Sequence, residues 1–148
     1  MSNSLLDFAD DVLLIADGIQ KGAVEFQKQL AKTILRELAQ ETPVYTGKAL
    51  SNWQVASGNP PTEVLDSHEY GEEGETRSEN IYAVVSLGDE EIDSHKGGDL
   101  FISNPLDYVV DLDNGTGWSK KPPHFVDAAV MFAVKSTIEN NIKFAGLK

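Results

Sequence analysis

The chain contains no cysteine. Disulfide scaffolds, cysteine-ligated zinc and thiol catalysis are therefore excluded. Positive charge is scarce: 12 Lys and Arg face 24 Asp and Glu, a net of −12 with a pI near 4.5. Proteins that coat nucleic acid rely on clustered cations, so this balance argues against that class. Apolar runs such as Val12 to Ala16 are far shorter than the roughly 20 residues that cross a bilayer. The first residues also lack the form of a secretion signal. A signal needs a basic segment before an unbroken apolar stretch, and Asp7, Asp10, Asp11 and Asp17 interrupt this one. The expected compartment is a cytoplasm, and Asn114-Gly115-Thr116 reads as a turn instead of a glycosylation site.

What is present suffices for one core. The 148 residues are 41% hydrophobic and 8% aromatic, which suits a single globular domain. Leu5, Phe8, Val12, Ile15, Ile19, Ala23, Phe26, Leu30, Ile34 and Leu38 recur at three- and four-residue spacing, predicting a helix over 1–41. Ser4 is its expected N-cap, and Thr42-Pro43 ends it. Gly18 and Gly22 predict a kink or break near 18–22. Lys28, Lys32 and Arg36 form a basic stripe at i, i+4 spacing. It reads either as a solvated face or as a docking strip for an acidic segment of this chain or a neighbour.

The middle reads as a small sheet over 51–112. Its expected strands are Ser51–Ala56, Ile81–Leu87, Leu100–Ser103 and Leu106–Leu112. Two polar stretches, 58–80 and 88–99, have the composition of mobile acidic insertions. From Glu63 to Asp99, 12 acids stand against Arg77 and Lys96 alone. Nearly all the net charge is thus concentrated in one quarter of the chain. A C-terminal helix is predicted over 124–144, led by Pro122-Pro123. Its apolar residues cover more than half of the circumference, which implies burial on two sides.

Motifs for chemistry fail on inspection. Thr46-Gly47-Lys48 lacks the upstream glycine and the following hydroxyl of a phosphate loop. Asp111-Leu112-Asp113-Asn114-Gly115 opens like a calcium loop, but Thr116 stands where glycine is needed and Pro122 where a bidentate glutamate is needed. His68, His95 and His124 give no metal-ligand spacing. The expectation is a non-enzyme with no metal and no cofactor.

Two stretches together resemble a known family. One is Thr42-Pro43-Val44-Tyr45-Thr46-Gly47-Lys48-Ala49-Leu50-Ser51-Asn52-Trp53 after a long helix. The other is Asn104-Pro105-Leu106-Asp107-Tyr108-Val109-Val110-Asp111 with Asn114-Gly115-Thr116-Gly117, then Pro122-Pro123-His124-Phe125 opening a helix. In this order they resemble the neck or tail-completion proteins of tailed bacteriophages, the minor tail component of lambda-like phages. Tyr45 stands where the family pattern has Asp, and Val109 where it has Ala.

The resemblance implies an α+β fold, with two helices packed on a small, mostly antiparallel sheet. It implies a structural virion protein of the head–tail junction, assembled in the host cytoplasm as a cyclic homo-oligomer, hexamer or dodecamer. Its partners would be head-completion or connector proteins and the tail terminator or tail tube. Genomic DNA would pass through without sequence-specific binding, and no membrane is involved. Within that frame, Trp118, Lys120, Lys121 and Phe125, with Lys28, Lys32 and Arg36, are candidates for the subunit or ring interface. Thr46, Gly47, Trp53, Tyr108 and Gly115 are the expected turn and anchor residues. Glu69, Glu72, Glu73, Glu75, Asp89, Glu90 and Glu91 are expected on acidic loops facing the lumen or rim. The alternative is an acidic interaction protein acting outside the virion, as a DNA mimic or a binder of a basic partner.

Overall fold

The computed structural model describes residues 5–115 and 123–144, with side-chain surroundings over 10–115 and 123–141. The architecture is α+β. In chain order the elements are α1 (Leu5–Glu41), α2 (Lys48–Ser51), β1 (Gln54–Ser57), α3 (Arg77–Ser94), β2 (Leu100–Ser103), α4 (Val109–Asp113) and α5 (Phe125–Phe144). The sheet is one antiparallel pair, with Gln54 opposite Ser103 and Ser57 opposite Leu100. The C-terminal half of α1 packs against α3, α5 and the strand pair. Leu35, Leu50, Val84, Ile92 and Leu112 are fully enclosed between these elements.

Helix α1 runs unbroken through Gly18 and Gly22, so the chain does not leave the helix there. A side chain at either glycine would meet no neighbouring atom within 4 Å. No close approach requires glycine at these positions, and each lowers local helix stability. The helix stops at Thr42 as expected. Its last carbonyls are capped from afar, because Arg77 at the start of α3 donates Nη1 to Thr42 O and Nη2 to Gln40 O, both at 2.9 Å. No basic residue lies in the last turn of α1, so Arg77 supplies the charge that its dipole favours. Ser4, the expected N-cap, lies outside the described residues.

Two expected strands are helices. Residues 81–87 belong to α3, where Asn80, Val84, Gly88 and Ile92 form a buried row at i+4 spacing. The β-branched run there had suggested a strand, but Tyr82 and Leu87 point to solvent, and helical period decides the fold. Gly88 is small because α3 crosses α1 closely there. A Cβ at this position would collide with Leu35 Cδ2 and lie 3.2 Å from Val55 Cγ2. Residues 109–113 likewise form α4, with Leu106, Val109 and Leu112 buried at three-residue spacing. The first strand begins at Gln54, because residues 48–51 form the short α2.

The expected mobile insertions are also revised. Residues 88–94 are the last two turns of α3. Residues 58–76 have no regular secondary structure, yet they are tied at many points to the body, as described below. Helix α5 starts where Asp113 holds it: Asp113 Oδ1 accepts from Val126 N at 2.9 Å, and Asp113 O accepts from His124 N. The carboxylate that resembled a calcium ligand therefore caps a helix N-terminus.

These contacts set opposite outcomes for glycine substitution. Gly88→Ala should destabilise the chain by about 1–3 kcal/mol through overpacking against Leu35 and Val55. Gly18→Ala should stabilise by about 0.5–1 kcal/mol. Urea unfolding of both variants checks the pair, and equal effects would contradict the close crossing of α3 over α1.

Candidate interaction surfaces

The turn after α1 is built around two buried amides. Gly47 adopts φ +90°, which reverses the chain into α2 and brings Ser51 and Asn52 under the acidic loop. Any side chain at Gly47 would collide with Asn80 Nδ2, so both the conformation and the space require glycine. Asn52 Nδ2 donates to Leu65 O at 2.9 Å and its Oδ1 accepts from Leu65 N at 2.7 Å. Asn80 repeats this with Glu69, donating to Glu69 O at 2.8 Å and accepting from Glu69 N at 2.9 Å. Each amide presents a donor and an acceptor to one loop residue, as a neighbouring strand would. Ser51 Oγ accepts from His68 N at 3.0 Å and donates to Asn80 Oδ1, also at 3.0 Å, linking the two clamps.

Trp53 lies in the core and donates Nε1 to Thr42 Oγ1 at 2.7 Å, fastening β1 to the end of α1. Thr46 Oγ1 accepts from Lys48 N, and Gly115 turns the chain after α4 at φ +75°. Tyr108 precedes α4 and shares a small hollow with Pro43, Thr46 and Ala49. Partial burial raises its phenol pKa, with a further push from Asp107.

The acidic residues divide into two sets. Glu69, Glu72, Glu73 and Glu75 sit exposed on the clamped loop. Gly74 N donates to Tyr45 O at 2.9 Å, so the loop tip is tied down as well. Asp89, Glu90 and Glu91 were expected on a second loop but belong to α3. Among them, Asp89 faces α1 and accepts from Arg36 Nη2 at 3.2 Å. One turn on, Asp93 accepts from Lys32 Nζ at 2.6 Å, while Lys28 Nζ donates to Asp93 O at 3.1 Å. The basic stripe of α1 is therefore occupied by the acidic edge of α3 within the same chain.

Of the remaining interface candidates, Phe125 is buried in the chain's own core. Trp118, Lys120 and Lys121 lie outside the described residues. One residue gave no signal in the sequence. His95 is buried at the end of α3 and bridges three segments: Nδ1 lies 2.6 Å from Ser57 Oγ, and Nε2 lies 2.9 Å from Gln27 Oε1. Gln27 Nε2 donates to Gly98 O, which turns its Oε1 toward the ring. With its Oε1 so placed, Gln27 accepts from Nε2, while the Ser57 hydroxyl pairs with Nδ1. Among the described residues no three His, Asp or Glu side chains gather as a metal site, and no helix is long and apolar enough to cross a membrane.

Among the described residues, two helix faces expose apolar side chains in a row. From residue 10 to 23, α1 extends past the body with every side chain exposed. On this arm Leu14 and Ile15 are 71% and 63% exposed. The outer side of α5 forms the second, a shallow groove of about 520 Å³ lined by Val130, Met131, Val134, Lys135, Ile138 and Glu139. Among the described residues only one side of α5 is covered, leaving exposed the second side that its sequence expects to be buried.

Two outcomes follow. Asn80→Ala should cost about 1–3 kcal/mol, because Glu69 loses both backbone partners, and should expose 58–76 to limited proteolysis. Cleavage no faster than in the parent chain would mean that the loop is held by other means. Asp93 has its carboxyl held below the ordinary 3.8, chiefly by the hydrogen bond from Lys32, with a smaller Coulombic contribution from Lys28. A depressed carboxylate stabilises the fold above its unfolded pKa, and that contribution is lost as pH falls through the lower folded value. The affected window is therefore acid, below about pH 4. Lys32→Met should return the Asp93 titration, followed by carboxyl NMR, toward the ordinary value.

Compared with protein-family models, curated proteins and solved structures, the chain finds no match.

Proposed function

We propose that this chain is a non-enzymatic structural subunit of the phage head–tail junction, forming a ring that joins the head connector to the tail and lets DNA pass. The observation that carries this reading is the meeting in space of the two stretches that resemble the neck family. They are separated by 50 residues and two acidic segments, yet Asn104 Nδ2 donates to Ala49 O at 2.8 Å. Tyr108, from the second stretch, lines the same hollow as Pro43 to Ala49 from the first. Turn residues that form one platform are the expected outcome when a motif pair serves one fold.

Charge supports the same role. The acids of 63–76 are exposed and held on a clamped loop, so they present a fixed negative field. A channel or rim lined in this way repels phosphates and lets DNA slide without sticking. Ring closure requires heterologous contacts between neighbours, and the two uncovered apolar surfaces provide material for them. Connector and tail-terminator rings would stack above and below.

A second reading draws on the same clamped loop. Rigidly spaced carboxylates suit a DNA mimic that engages a basic partner outside the virion. The two readings separate in electron micrographs of lysates from a phage lacking this gene. Full heads and finished tails lying unjoined, and joined again on complementation, are the expected result. Infectious particles without the gene would remove the neck role, and salt-sensitive capture of a cationic host protein would then support the mimic.

A further inference from the structure

Building on the ring reading above, we infer that the protruding arm of α1 docks on the outer groove of α5 in a second copy of the same chain. The arm is residues 10–23, about 20 Å of helix at 1.5 Å per residue. Val12, Ile15 and Ile19 lie along one side of it, in line with Phe26, Leu30 and Ile34 further on. Within the chain α5 packs on this later part of α1, where Asn141 Nδ2 donates to Gln29 Oε1 at 3.1 Å. The arm thus continues a surface already suited to a helix like α5, beyond the reach of its own α5.

The α5 groove is the complementary half. Val130, Val134 and Ile138 run along it at four-residue spacing, with Met131 72% exposed at its edge. From Val130 to Ile138 and from Val12 to Ile19 the two apolar stretches are similar in length, about 12 Å and about 10.5 Å. Two exposed apolar helix faces of this size on one chain call for partners.

Charge selects among the occupants. The arm carries Asp10, Asp11 and Asp17 against Lys21 alone, and Lys21 pairs with Asp17 at 2.8 Å, so its outer part is net acidic. Two net-acidic arms laid together offer each other little charge complementarity. Helices α1 and α3 are both net acidic, whereas α5 balances Asp127 and Glu139 with Lys135 and Lys143. Lys135 lies in the groove itself together with Glu139, so the groove is neutral as well. The neutral helix, with a lysine beside its apolar strip, is where an acidic arm meets least repulsion. Arm-to-groove docking is head-to-tail, the kind of contact that closes a ring.

The absence of native cysteine makes the test direct. Ile15→Cys and Ile138→Cys change exposed positions, so both variants should keep the parent's helical signal and Tm. The full-length variants, mixed at high concentration, are treated with a short bismaleimide. The expected result is a cross-linked dimer from the mixture, and a ladder of multimers when both cysteines are on one chain. As a second readout, Ile15→Asp with Ile19→Asp should weaken self-association at least about tenfold in sedimentation while leaving the fold intact. Cross-linking of Ile15→Cys alone at equal yield would overturn the docking in favour of arm-to-arm pairing. No cross-link in the mixture would overturn it outright. The neck role is read separately in the micrographs: joined particles without arm-to-groove cross-links mean that the ring closes through another surface. Cross-links in a protein dispensable for joining leave the docking and remove the ring.

Discussion

Asn52 and Asn80 each exchange two hydrogen bonds with a single loop residue, Leu65 and Glu69, and the arrangement of the middle of the chain depends on this exchange. A buried amide without partners is costly, so these side chains cannot take up their positions unless the loop comes to them. Among the described residues the sheet has two strands, and residues 59–76 add no third strand to either outer edge. The amides offer paired donors and acceptors in place of a strand, one from a turn and one from a helix. The requirement extends outward: Gly47 must be glycine to leave room for Asn80, and Asn80 sits in the first turn of α3. Arg77, which opens the same turn, then reaches the last carbonyls of α1. One polar cluster therefore sets the end of α1, the start of α3 and the course of the acidic loop together.

The charge pattern has two different physical roles. On α3, Asp89 and Asp93 face the basic stripe of α1 and bring two helices into register. In each pair one partner is half-exposed or more and the other largely covered, and ion pairs that remain in touch with water add little to stability, so their effect is mainly on alignment. On the clamped loop the glutamates face solvent with their backbone fixed, which keeps the field in place relative to the body. Sequence composition counts both sets as one acidic block, and only the fold separates them.

The legible parts of the fold were those in which a long apolar period repeats. Helices α1 and α5 and strand β2 were read at nearly their observed limits, and the Thr46-Gly47 turn and the Trp53 anchor were also visible. Helix α3 was not, because its buried row is Asn80, Val84, Gly88 and Ile92. Half of that row is an amide and a glycine, chosen for hydrogen bonding and close approach, so no apolar period appears. The run Ile81 to Leu87 then mimics a strand locally. The many ties of the loop at 58–76 are not legible for a related reason: its partners are donors and acceptors elsewhere, invisible to its own composition. His95 gave no signal because its role is set by Gln27 and Ser57, which are distant in sequence.

The arm of α1 poses the remaining energetic question. An isolated helix of this length is marginal in water, and two of its residues are glycines. Its apolar side chains are open to solvent, so burial within the chain contributes nothing to holding residues 10–23 helical. The body contributes only a nucleus, through the packed half of α1, from which the helix can extend. Such a segment remains helical at small free-energy cost when a partner covers its apolar stripe, and it frays when none does. The same holds in reverse for α5, whose outer side is too apolar to be a solvated face. In the proposed arm-to-groove docking, two such helices, one net acidic and one neutral, complete each other between copies: the groove supplies the burial that keeps the arm helical, and the arm covers the apolar side of α5.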